Sequence, residues 1–275
     1  MSRRPDGFAN SRDHAALVAA GLVGGVIAGL FGVGGGTVLV PALFYAFETL
    51  GVGGEGNLHT AIGTSLATIV VTALRSLAAH RRHGAVDEGV LRTWTPWVAL
   101  GGAVGAAIAG LTSMEGLAIV YGACLLLVAA QMGLLPDRYV LRRDMPTGWG
   151  RRIIATLIGL LSAMMGVGGG SLGGMTMSLC GRPIHQAVAT ASGFGVAIGA
   201  AAAIGFAVFG WSADGRPPFS LGYVNLPAAA VMGVMTAWSA PLGARLAHRL
   251  DQRLLKKAFA VYLLGTAASV VLKAI

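Results

Sequence analysis

Charge is what this chain has least of. Lys, Arg, Asp and Glu make up 11% of its 275 residues, about half the share found in a soluble domain. The long apolar runs hold none of them in their centres, and only Arg75 stands near the end of one. A water-soluble globule is excluded, and so is a transport path marked by a buried side-chain charge. Cysteine is nearly absent: Cys124 and Cys180 both lie in or beside apolar sequence, which argues against a disulfide framework or a cysteine metal site. The Gly-Lys-Ser/Thr ending of a phosphate-binding loop is missing after both glycine-rich stretches, so no nucleotide drives the protein. The histidines and Cys180 are the only candidates for catalysis, and their spacing forms no catalytic set; an enzyme is not expected, nor any cofactor. Aromatics are 7%, and Trp94, Trp97, Trp211 and Trp238 read as interface anchors or packing.

What is abundant is apolar sequence: 55% of the residues are hydrophobic and the mean hydropathy is +0.72. Long apolar segments recur along the whole chain, the signature of a helical protein that crosses the bilayer many times. The polar segment Met1–Asp13 lacks a small-residue cleavage site behind a short apolar core, so no cleavable signal peptide is expected. The net charge of +9 sits in short loops between spans; it is a topology signal and implies no nucleic-acid partner.

The chain is organised around a stretch that occurs twice, Gly32-Val33-Gly34-Gly35-Gly36-Thr37 and Gly166-Val167-Gly168-Gly169-Gly170-Ser171, at an offset of 134 residues (166 − 32). Glycine lacks a Cβ, so such a run lets the backbone leave helical geometry and lets other groups approach the main chain. A second landmark, the His-x-Ala-x-x-Thr segment, begins at His59 and again at His185; a third, Gly84-x-Val86, matches Gly222-x-Val224. Three landmarks in one order indicate internal duplication. The order of segments predicts an all-α polytopic membrane protein of two repeats, 14–135 and 152–275, joined by a basic cytoplasmic linker at 136–151 and preceded by a polar tail at 1–13. Each repeat is expected to hold a glycine-broken hairpin and three transmembrane helices. Loops 75–92, 135–152 and 245–257 carry most of the Lys and Arg and are placed in the cytoplasm, while loop 48–58 and turn 113–116 carry none and are placed outside. Matched loops then fall on opposite faces, so the repeats are expected to have inverted topology. The same rule sets the N-terminus outside, against Arg3, Arg4 and Arg12.

With hairpins entering from opposite faces, their tips can meet near the midplane. A helix restarting after a tip presents unpaired N–H groups and roughly half a positive charge, so two such ends form an anion site without Lys or Arg. The candidate binding residues are Gly34, Gly35, Gly36, Thr37, Thr64 and Ser65, with Gly168, Gly169, Gly170, Ser171, Thr190 and Ser192 in the second half. The competing reading is that these glycines only let helices pack closely and that the Ser and Thr hydroxyls bond preceding carbonyls. His59 and His185 are candidates for a proton-linked or anion-contacting role; the competing reading is an interfacial histidine bonded to backbone or water. Asn225 is expected to cap a helix. Nothing in the pattern specifies an oligomeric state.

GVGGGTVLVP at residues 32–41, HTAIGTS at 59–65, the second GVGGG, HQAVATAS, and GYVNLP followed by PLGARL resemble the TauE/SafE family of bacterial membrane proteins, also called sulfite exporters or toluene-sulfonate uptake permeases. The resemblance covers nearly the whole chain. One departure is that Met175 stands at the place matching Pro41. The resemblance implies a multi-pass protein of the bacterial inner membrane that moves a small sulfur-containing oxyanion, sulfite or an organosulfonate, in one direction or the other. Its partners would be that solute and the lipid bilayer. A proton is the natural coupling ion, and uniport is compatible. The competing functions are an anion channel and a transporter of a non-sulfur organic anion.

Overall fold

The computed structural model describes residues 21–27, 36–49, 51, 54–134, 140–142, 144–213, 215–247 and 252–274. The first glycine stretch up to Gly35, including the candidates Gly34 and Gly35, lies outside the described residues. Helix α1 covers residues 21–27. Then come α2 (Gly36–Thr49), a 3-10 turn (Gly54–Gly56), α3 (Asn57–Arg82), α4 (Glu88–Leu111), α5 (Met114–Leu134), α6 (Gly148–Met164), α7 (Gly170–Leu179) and α8 (Ile184–Phe209). A two-stranded antiparallel hairpin, β1 (Ser220–Leu221) and β2 (Val224–Asn225), precedes α9 (Leu226–Ala247) and α10 (Gln252–Ala274). Among the described residues four helical stretches are long and apolar enough to cross a bilayer: α3, α4, Met114–Gln131 of α5, and α8. α2 and α7 have 14 and 10 residues and rise only about 21 and 15 Å, too short to cross.

Several helices reach further into polar sequence than the apolar runs suggest. Arg81 and Arg82 belong to the last turn of α3, and Arg151 and Arg152 to the first turns of α6, so the connection from α3 to α4 is only residues 83–87. Basic side chains favour a helix C-terminus and can run their stems along apolar surface to water, so the helix need not stop where the charges begin. α4 starts at Glu88, inside the stretch 75–92 expected as a loop, because Asp87 Oδ1 accepts from Val90 N–H at 3.0 Å and satisfies an end donor.

α3 and α8 cross antiparallel at the centre. Ser76 Oγ lies 3.0 Å from Ser192 Oγ, Ala73 faces Gly195, Leu66 and Val70 face Gly199, and Gly63 faces Phe206. α4 lies parallel to α6, with Gly101 against Thr156, Gly105 against Leu160 and Gly159 against Val98 and Gly102. Lipid gives helices no hydrophobic reason to associate, so close backbone approach at small residues holds this pair. A Cβ on Gly159 would run into the Val98 carbonyl, with the Val98 carbonyl carbon 2.9 Å away; both are main chain and cannot step aside. Gly159→Ala is therefore expected to cost about 1–3 kcal/mol of stability. Thermal unfolding in detergent measures this, and an unchanged melting temperature would show that the seam is loose.

Hydrogen bonds establish which ends lie together. The Leu179 carbonyl, at the end of α7, accepts from Leu141 N–H at 2.9 Å and Arg142 N–H at 3.1 Å, so α7 finishes beside the segment leading into α6. Arg182, just after α7, pairs with Asp87 at 3.4 Å, bringing the start of α4 to the same end. At the other end, His59 in the first turn of α3 meets the last carbonyls of α4, and Lys273 of α10 pairs with Glu48 of α2 at 2.6 Å. Between the two ends sits an apolar core that includes Leu39, Leu43, Phe47, Leu66, Phe194 and Phe206, all fully or nearly fully buried.

Several contacts occur in pairs. Thr64 Oγ1 accepts from Asn225 N–H at 2.9 Å, and Thr190 Oγ1 accepts from Asp87 N–H at 2.9 Å. Asn225 caps α9 through Oδ1 to Ala228 N–H at 2.9 Å, as expected, just as Asp87 caps α4. Gly84 and Gly222, three residues before each cap, have φ of +62° and +57°. Gly25 packs on Thr236 as Gly159 packs on Val98.

Candidate functional site

The second glycine stretch interrupts the helix, and its backbone bonds show how. Gly166 N–H donates to Ala163 O at 3.1 Å and Val167 N–H to Ser162 O at 2.9 Å, closing off α6. Gly166 and Gly169 have φ of +66° and +50°, a region that L side chains rarely adopt. Gly169 N–H then bonds Val167 O at 3.0 Å, and Gly170 N–H bonds Gly168 O. Helical bonding resumes with Gly173 N–H on Gly169 O at 2.8 Å. This leaves the N–H groups of Ser171 and Leu172 with no partner among the described residues, as expected for the first turn of a helix.

Space around the break admits only glycine. A Cβ on Gly169 would stand 2.8 Å from Ile198 Cδ1 and 3.0 Å from Phe194 Cβ, and one on Gly166 would stand 3.2 Å from Ile62 Cα; Gly168 is pressed against Ile69 and Gly195. The first residue of α2 also comes here. A Cβ on Gly36 would be 2.6 Å from Gly166 O, 2.7 Å from Val167 Cα and 3.0 Å from Ile69 Cδ1. Ser65 Oγ, from the middle of α3, donates to the same Gly166 carbonyl at 2.9 Å. The start of α2, the centre of α3 and the break before α7 thus meet inside the bundle.

Two hydroxyls at matched positions complete the cluster. Thr37 is 0% exposed and its Oγ1 has no hydrogen-bond partner among the described residues; Ser171 Oγ is also buried without one there. Each belongs to the second residue of the helix that follows its glycine stretch. An unsatisfied buried hydroxyl costs about 1–3 kcal/mol, so a matched pair of them calls for an explanation. Ser162 Oγ, in the last turn of α6, is likewise buried and unpartnered. The sequence reading missed it; the one available signal was a lone hydroxyl four residues ahead of the first glycine of the break.

Other expected site residues lie elsewhere. Thr64 and Thr190 accept from the cap residues of the opposite half, so these hydroxyl lone pairs serve the junction of the halves. Ser192 Oγ bonds Val188 O and Ser76 Oγ, each at 3.0 Å, at the α3–α8 crossing. His59 Nε2 lies 3.1 Å from Ala109 O and 3.0 Å from Thr112 O, where it donates to carbonyls left free at the end of α4, and its ring stacks on Tyr223 at 4.9 Å. His185 is exposed at the start of α8. Among the described residues no three His, Cys, Asp or Glu side chains gather as metal ligands would. Burial raises the pKa of the Cys180 thiol, more than nearby Arg142 and Arg182 lower it; a protonated thiol is a poor nucleophile.

A cavity of about 390 Å³ opens between α1, α2 and α10, lined by Val23, Val38, Pro41, Tyr45, Tyr262 and Thr266 among others. Its lining is overwhelmingly apolar, which does not suit a desolvated anion.

Bilayer-length helices packed around a buried glycine break belong to a multi-pass membrane protein of the transporter class. The chain is a member of the TauE/SafE family: the family model described as "Sulfite exporter TauE/SafE" matches residues 17–270. A "Probable membrane transporter protein" of Haemophilus influenzae is 31% identical over 253 residues, covering 92% of this chain and 96% of that protein. A probable membrane transporter protein of Methanocaldococcus jannaschii is 21% identical over 250 residues, 87% of this chain and 88% of its own. One from Bacillus subtilis, YunE, is 27% identical over 177 residues, 57% of this chain and 64% of its own. No solved structure matches. Membership places the chain among transporters and not among enzymes.

Proposed function

We propose that this protein is a secondary transporter of a small sulfur-containing oxyanion, sulfite or an organosulfonate, in the bacterial inner membrane. The anion is held where the start of α2 meets the break before α7, by the Ser171 and Leu172 amides and by the Thr37 and Ser171 hydroxyls. The observation that carries this is the pair of buried, unpartnered hydroxyls at matched positions of the two halves, beside a helix start whose amides are free. An oxyanion accepts several hydrogen bonds, and donors of this kind strengthen in a water-poor site. The family description, sulfite exporter, supports the sulfur chemistry.

In this reading the chain consists of two inverted repeats that rock about the shared site. The antiparallel run of α3 against α8 and the paired contacts Thr64–Asn225 and Thr190–Asp87 support it. So does the return of α7 to the end where α6 begins, the path of a re-entrant hairpin. The end bearing Arg81, Arg151 and Arg182 faces the cytoplasm. Neither candidate histidine is placed at the break: His59 is held by the carbonyls at the end of α4 and His185 is exposed at the start of α8.

Reconstituted into liposomes, the protein should take up one or more of sulfite, thiosulfate, taurine and sulfoacetate with saturation and counterflow, and should discriminate against non-sulfur carboxylates. Flux without saturation would indicate a channel instead; a preference for carboxylates would overturn the sulfur assignment.

A further inference from the structure

We propose that the seam between α4 and α6 binds an anionic glycerophospholipid, its phosphate at Arg151 and Arg152 and one acyl chain along the seam. Arg152 is the anchor. Its guanidinium carbon lies 5.1 Å from the centre of the Trp97 ring and 4.8 Å from that of Trp149, so one indole from each helix holds it. Trp149 is 74% exposed, the placement of an aromatic at a membrane–water interface. The Nε atoms of Arg151 and Arg152 are buried and have no hydrogen-bond partner among the described residues. Among the described residues neither arginine forms an ion pair, whereas Arg81 and Arg182 each find a carboxylate. Two basic side chains of the first turns of α6 are thus left at one end of the bundle with no carboxylate partner among the described residues.

The helix surfaces below them supply the apolar half of the site. The Trp97–Arg152 contact keeps the register of Gly101 with Thr156 and Gly105 with Leu160, which follow one and two turns further along the parallel pair. The glycines draw the helices into a seam, and exposed apolar side chains flank it on both sides: Ile153 and Leu157 on α6, Leu100 and Val104 on α4. Continuing from Trp149, Ile153 and Leu157 follow at intervals of four and share one helix face. A phosphate at the arginines would leave its acyl chain lying against these residues. Basic side chains at the rim of a membrane helix pair are a recurrent means of recognising anionic headgroups, and Arg holds phosphate through a planar, multidentate contact.

The test is native mass spectrometry of the purified protein, offered equal amounts of phosphatidylglycerol and phosphatidylcholine. Each basic residue near an anionic headgroup contributes roughly a fivefold preference, so two arginines should favour phosphatidylglycerol by about 25-fold. Arg151→Gln with Arg152→Gln should erase the preference, and Arg151→Lys with Arg152→Lys should keep it within about fivefold, since charge is retained. Inorganic phosphate at equal concentration should not displace the lipid. Equal retention of the two lipids by the unaltered protein would overturn the proposal whatever the variants do. So would undiminished preference in the glutamine variant, or displacement by inorganic phosphate, which would identify a simple anion site without an acyl chain.

Discussion

Gly36→Ala is expected to reduce solute flux by tenfold or more while the protein still inserts and purifies as a folded species. The added methyl would stand 2.6 Å from Gly166 O and 2.7 Å from Val167 Cα. Both are backbone atoms of the break, so relief requires α2 to withdraw from the break, where the proposed anion site lies. Overpacking of this kind costs about 1–3 kcal/mol, and about 1.4 kcal/mol is a tenfold change in an equilibrium. Gly169→Leu should act at least as strongly. It forces a side chain into φ of +50°, which costs roughly 1–2 kcal/mol, and drives that side chain at Phe194 and Ile198. Uptake by liposomes and gel filtration of the same preparations separate lost transport from lost folding. Wild-type flux from a well-folded Gly36→Ala protein would mean that the approach of α2 to the break has nothing to do with transport.

Thr37→Val and Ser171→Ala should move two measured quantities in opposite directions. Without solute, each hydroxyl is a buried donor with no acceptor among the described residues, so its removal should leave stability unchanged or raise it; leaving such a group unsatisfied costs about 1–3 kcal/mol. With solute, each hydroxyl donates to an anion, a bond contributing about 1.5–3 kcal/mol, so each replacement should weaken binding by roughly 10- to 150-fold. Thermal unfolding with and without a sulfonate reads both. A purely structural hydroxyl would give the reverse pattern, with lower stability and the same affinity.

The parts of the fold that local chemistry decides were legible in the chain. The second glycine stretch breaks the helix as three glycines allow, the Asn225 cap forms, and α2 and α7 are too short to span. Residues that matter through a distant partner were not legible. Thr64 and Thr190 matched one another in the sequence, but their roles depend on cap amides 161 and 103 residues away, which no periodicity reveals. His59 is engaged by carbonyls released at the end of α4, and the position of that end relative to α3 is a fact of tertiary packing. The arginines of α3 and α6 looked like loop residues because hydropathy reports where apolar side chains stop, whereas helices run on until their end groups are capped.

The most direct measurement is a structure of the protein in lipid nanodiscs with a saturating organosulfonate or sulfite. We expect the anion's oxygens within hydrogen-bond distance of the Ser171 and Leu172 amides and the Thr37 and Ser171 hydroxyls. An anion bound instead against loop arginines, with those four donors still unpartnered, would contradict a site built from main-chain amides and neutral hydroxyls.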